Sequence, residues 1–310
     1  MSIIREILSL AIFKQQPPVL IDIGASGEIN EKWKEIAPLS ICIAFDADDR
    51  DFQVKQEENK GYRRLITFNR IVSTENNEAS RFFLTSSPYC SSSLRPDNEK
   101  LAPWAFASLF EVEKEIDIPA ITLSDSLSQV GVSYVDWFKS DTQGTDLRLY
   151  TSLSESISSG ISALEFEPGI IDAYTGEDKL HTVMKEMDKG KYWLSSMIVK
   201  GTQRVSPGYI QKAGKRTIRN SPCWAEVMYL RVPFQQASER QLLFLFICAW
   251  LEKQYGFALE VADLGIINYP SSMFHRCKKA TLSKIRYEKI KTPVVIAKRR
   301  LNKLLSAFHD

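Results

Sequence analysis

The chain alternates short apolar runs with polar, turn-forming stretches, and most of the runs have the length of strands. Val19 to Ile23 is apolar apart from Asp22 and ends in Gly24 and Gly27. It reads as a strand buried on both faces, as in a parallel sheet. Glu28 to Ile36 is then expected to be a helix. Ile41 to Asp46 is the second strand and runs into acids, Asp46, Asp48 and Asp49. Leu65 to Ser73 is the third, with Ile71, Val72 and Ser73 at its end, and residues 80–86 form a short fourth. Ile121 to Leu127 is a strand entering a helix with Ser124 as its N-cap. Tyr134 to Asp141 follows, and strand alternation puts Val135, Trp137, Lys139 and Asp141 on one side. Thr145 to Leu153 is a predicted helix, Ile161 to Glu167 a strand, and 179–189 a helix. Lys191 to Val199 and Trp224 to Val232 are the last strands.

This order predicts an α/β fold, a mostly parallel sheet with helices on both faces. Residues 1–18 form an N-terminal amphipathic helix (3–12) and a linker ending in Pro17 and Pro18. Residues 19–232 form the main domain, and 233–310 a helical, basic C-terminal extension.

Composition narrows the class. With 310 residues, 44% hydrophobic and 25% charged, the chain is ordinary for a globular protein. A net charge of +2 gives no whole-chain field for nucleic acid. Five scattered cysteines argue against a disulfide framework and for a reducing, cytoplasmic setting. Three dispersed histidines form no metal-ligand pattern. No cleavage site follows the apolar start, which argues against a signal peptide. The longest apolar run, Leu242 to Leu251, is too short to span a bilayer. Between Arg276 and Lys303 stand eleven basic residues and one acid, Glu288. A solvated tail is the first reading of this segment. Peripheral contact with the inner face of an anionic membrane is the second.

The chemistry gathers at strand ends. Gly24 and Gly27 permit a sharp turn and close approach of a ligand, as in a nucleotide pocket at the end of a first strand. Asp46 lies nineteen residues after Gly27, where such a site places a carboxylate for ribose hydroxyls. A solvated acidic turn is the competing reading. Lys139 and Asp141 at the end of a buried strand face a ligand or pair with each other. Glu165 and Glu167 end the next strand in the same way. The loop from Ser87 to Pro96 is a candidate for substrate contacts. Gly201 to Pro222, basic and without acids, reads as a flap. In this fold S-adenosylmethionine and a nicotinamide dinucleotide compete as cofactor.

From about residue 19 to 231 the sequence resembles the FkbM-type methyltransferases, a branch of the class I S-adenosylmethionine enzymes. The resemblance rests on Asp22-Ile23-Gly24-Ala25, on Ala44-Phe45-Asp46, and on Val135 to Leu147, which is similar to the family signature Asp-Phe-x-Lys-x-Asp-x-Gln-Gly-x-Glu. Leu164 to Glu167 followed by Tyr174 also fits. Asp46 and Asp146 stand where the family more often has Glu, and Ser140 replaces an aliphatic residue. The resemblance implies a Rossmann-like, seven-stranded fold and O-methylation of a small-molecule or glycan hydroxyl. It implies S-adenosylmethionine near Asp22, Gly24, Ala25, Gly27, Asp46, Ala47, Val72, Ser73, Asp141 and Gln143, and no metal. Asp141 is the first candidate base, with Glu167, Lys139 and His181 as further catalytic candidates. A dehydrogenase using Tyr287 and Lys291, and a scaffold without catalysis, are the competing readings.

Overall fold

The computed structural model describes the chain except residues 1, 26–28, 48–60, 207, 210–216, 235, 271 and 307–310, and gives the backbone alone for 291–306. The chain divides into two compact units, one of residues 10–232 and one of residues 1–9 with 233–310. The first nine residues therefore group with the C-terminal helices and not with the linker that follows them.

In the larger unit the strands are β1 (Val19–Ile23), β2 (Ile41–Phe45), β3 (Arg64–Phe68), β4 (Ile71–Ser73), β5 (Asn77–Thr85), β6 (Val112–Thr122), β7 (Trp137–Ser140), β8 (Ala163–Phe166), β9 (Tyr192–Gln203) and β10 (Asn220–Arg231). Seven of them form one sheet in the order β3-β2-β1-β7-β8-β10-β9. β10 is antiparallel to both neighbours, and the other pairings are parallel. The chain builds outward from β1 through β2 to β3, then crosses back to β7 on the other side. The β1–β7 boundary is thus a topological switch point, where open α/β sheets bind ligands.

Every residue of β1 is buried, as its apolar run requires. Alternation splits the central strands between two faces. Ile21, Phe45, Phe138 and Phe166 share a core with helices Leu123–Val130, Asp146–Thr151 and Leu180–Met187. On the other face Trp137 meets Trp33 edge-on, with ring centroids 5.9 Å apart. Val135 joins the Phe138 cluster, so the expected alternation holds only from Trp137 onward.

Four further elements differ from expectation. The helix over Glu28 to Ile36 is reduced, among its described residues, to a 3-10 turn at Glu31–Trp33, where Asn30 caps the Lys32 N–H. A second 3-10 turn follows at Ala37–Leu39, with Pro38 near its start. The third strand breaks at exposed Asn69 and Arg70, and Ile71–Ser73 leaves the main sheet for a small one ordered β4-β6-β5. The cap of the helix at 123 is Thr122, whose hydroxyl accepts the Asp125 N–H, and Ser124 lies inside the first turn. The amphipathic helix over 3–12 is two short ones, Ile3–Leu8 and Ala11–Gln15.

The smaller unit is helical: Glu239–Leu251, Tyr255–Asn268 and the long basic Ser272–Ser306. Ser238 and Gln241 close a capping box at its start. Leu242 to Ala249 is buried on all sides. No helix among the described residues is long and apolar enough to cross a membrane.

Candidate functional site

β1 and β7 end side by side, and their ends are held together by backbone geometry. Gly24 has φ +79°, and a Cβ built on it would lie 2.2 Å from the Asp141 carbonyl oxygen. The glycine is therefore required for the close approach of another strand end, rather than for a ligand as the turn alone implied. Beneath this junction Lys139 Nζ donates to Asp22 Oδ1 at 2.7 Å. The expected Lys139–Asp141 pair is replaced by this cross-strand pair, because the register sets Asp22 opposite Lys139. Burial works against the Lys139 charge, but the Asp22 and Asp141 carboxylates outweigh it and hold the ammonium above its ordinary pKa.

Asp146 fastens the next junction. Its Oδ1 accepts from Ser140 Oγ at 2.7 Å and from the Thr142 hydroxyl and N–H, and its Oδ2 accepts the Glu167 N–H at 3.1 Å. One buried carboxylate thus ties the end of β7 to the end of β8. Gln143 follows with φ +57°, a conformation that non-glycine residues adopt at a cost. Its Nε2 donates to Asp141 Oδ1 at 2.6 Å, and its Oε1 accepts from the Tyr174 hydroxyl at 3.3 Å. The one proton of that hydroxyl is shared with the nearer Cys90 carbonyl at 2.8 Å.

Two clefts open over these ends. The first holds about 780 Å³ of space, open solvent included, and is lined by Gly24, Asp46, Ala47, Val72, Asp141 and Gln143 among others. The second holds about 1150 Å³ on the same measure and is lined by Asp141, Gln143, Glu167, Tyr174 and Trp224 among others. Asp141 and Gln143 form a wall common to the two. Burial pushes the Asp141 carboxyl up to about 6 against the pull of Lys139. Burial, then the charges of Asp141 and Glu226, push Glu167 up to about 8.

Other sequence candidates fall elsewhere. Asp22 and Lys139 are spent on each other below the clefts. Ala25 is buried and Ser73 half-buried, and neither lines a cleft. His181 is exposed at the start of its helix, outside both clefts, so it stands away from the chemistry. Glu165 is bound by Lys32 at 2.7 Å and by the Trp137 indole at 2.8 Å, which makes it structural. Gly27 lies outside the described residues.

Sequence reading missed Arg70, Phe82, Phe106, Phe110, Trp224 and Glu226 as lining residues. Only the aromatic density of 102–110 could have signalled part of them. Tyr89 and Ser91, from the loop flagged for substrate contacts, do line the first cleft. No cluster of His, Cys, Asp and Glu among the described residues is arranged to hold a metal ion. No protein-family model and no curated protein matches the chain.

Proposed function

We propose that the protein is a methyltransferase that moves a methyl group from S-adenosylmethionine to the hydroxyl of a small-molecule or glycan acceptor. The observation that carries this reading is the common wall. Asp141 and Gln143 border both clefts, so a donor in one and an acceptor in the other meet at these side chains. The sheet supports it. Its order departs from the dinucleotide order 3-2-1-4-5-6 by an antiparallel last strand set between the fifth and sixth. It fits the seven-stranded, mostly parallel sheet that the sequence resemblance implies. The catalytic pair of the dehydrogenase alternative, Tyr287 and Lys291, belongs to the C-terminal helical unit and not to the strand ends of the sheet.

The residues of the first cleft fit the cofactor. Asp46 is at the end of β2, in the position for ribose hydroxyls. Ile71, Val72 and Phe82 give apolar surface suited to an adenine ring. When bound, the cofactor supplies an electrophilic methyl on a sulfonium.

The chain supplies alignment and a base. Asp141, at about 6, is ionised at neutral pH and more basic than an ordinary carboxylate. It accepts the proton of the acceptor hydroxyl. Gln143, itself anchored by Tyr174, fixes one Asp141 oxygen and leaves the other for the acceptor. Calorimetric titration with S-adenosylmethionine and with NADH, on the wild type and Asp46→Ala, tests the reading. S-adenosylmethionine alone should bind, and Asp46→Ala should weaken it. Binding of NADH instead would overturn the proposal.

A further inference from the structure

The second cleft has an unusual lining. Four carboxylates border it, Asp141, Glu167, Glu177 and Glu226, and no lysine, arginine or histidine does so among the described residues. An aromatic wall stands with them. Phe106 lies 5.1 Å from Phe110 and 6.4 Å from Trp224, and Phe110 lies 5.6 Å from Tyr174, by ring centroids.

Most acids near the site are answered from within the protein. Asp22 has Lys139, Asp146 has two hydroxyls and two N–H groups, and Asp141 has Gln143. Glu177 accepts from the Ala173 N–H and from Lys179, and Glu226 pairs with Lys200 at the rim. Glu167 is different. Its backbone N–H is bound by Asp146, and its half-buried carboxylate accepts no hydrogen bond and makes no ion pair among the described residues, Lys139 acting on it only through its field. A buried carboxylate without a donor is costly, and a ligand that brings the donor relieves that cost. Aromatic faces attract cations as well.

We infer that the second cleft takes a ligand bearing a cationic nitrogen, an amine or amino sugar, whose ammonium meets Glu167 while Phe106 and Trp224 cover its carbon skeleton. The ammonium is a recognition group, and the methylated atom is a hydroxyl of the same molecule. Burial and the neighbouring Asp141 and Glu226 hold Glu167 at about 8, so at pH 7 it is mostly protonated, and a bound ammonium stabilises the carboxylate and sends its proton to solvent. Anionic acceptors, such as phosphorylated sugars, meet the ionised Asp141 and no cationic side chain in the lining among the described residues. The inference deepens the methyl-transfer reading only in calling this ligand the acceptor.

The test uses the full chain and three probes of one shape: benzylamine, benzyl alcohol and benzoate. Ligand-observed NMR at pH 7 gives their affinities, with and without S-adenosylhomocysteine. Benzylamine should bind about tenfold tighter than benzyl alcohol, with benzoate weakest. Glu167→Gln, checked for folding by circular dichroism, should remove most of the amine preference. Equal binding of the three, or a preference for benzoate, would overturn the inference. So would competition between benzylamine and S-adenosylhomocysteine, which would assign the acids to the cofactor. The amine arm needs no cofactor. A chain that bound benzylamine but not S-adenosylmethionine would keep the amine site and lose the methyl-transfer reading, and the reverse result would do the opposite.

Discussion

Replacing Glu167 with glutamine should make the protein more stable at high pH than the wild type. In the folded chain this carboxyl is held at about 8, against 4.5 for an ordinary glutamate. The folded state therefore keeps a proton that the unfolded chain releases across that window. Its stabilising effect is complete below pH 4.5 and is lost as pH rises through 8. At 1.36 kcal/mol per pH unit, the gap amounts to about 5 kcal/mol between the two limits. Glutamine has nearly the same shape and cannot ionise, so it does not follow this loss. Urea unfolding of both proteins at pH 5, 7 and 9 reads the difference directly. The stability of Glu167→Gln relative to wild type should rise steadily from pH 5 to pH 9. Two parallel stability curves would show that Glu167 ionises freely and would refute the burial argument.

Three other outcomes follow from the same geometry. Gly24→Ala forces a Cβ onto the Asp141 carbonyl oxygen and a left-handed φ, a conformation that alone costs about 1–2 kcal/mol. Thermal unfolding should show the loss, and titration should show weakened S-adenosylmethionine binding. Lys139→Met leaves Asp22 buried without its partner, which should destabilise by about 3–5 kcal/mol in denaturant unfolding. The double variant with Asp22→Leu should recover much of it. Asp141→Asn should lower turnover by about 10²-fold or more with folding intact, and wild-type activity should rise as pH passes through about 6. A flat pH profile, or an active Asp141→Asn protein, would remove Asp141 from proton transfer.

The central sheet was legible in the sequence because its strands are short apolar runs buried on both faces, and β1, β2, β7 and β8 fall where those runs lie. Asp46 and Asp141 were legible because strand ends and spacing locate them, and Gln143 through the resemblance alone. The small sheet was not, since β6 is largely exposed and charged and shows no buried run. The partner of Lys139 was not legible for a similar reason. A strand pattern shows which side a residue faces but not which residue of a distant strand stands opposite, and here that is Asp22. The acidic and aromatic second cleft draws on Phe106, Glu167, Tyr174 and Trp224, which no local spacing connects.

The pairing of β1 with β7 also bears on how the chain acquires its shape. The two strands whose ends frame the first cleft are joined across 117 residues, as the Asp22–Lys139 pair records. Contacts of such sequence separation form slowly, because a long loop must close before they contribute. During synthesis, β1 and β2 can pair early and leave one edge of β1 open until residues 137–140 arrive. An exposed parallel edge of wholly buried-type residues is a template for association with other chains. The same strand junction that positions the clefts is thus the point at which an incomplete chain is most exposed to aggregation.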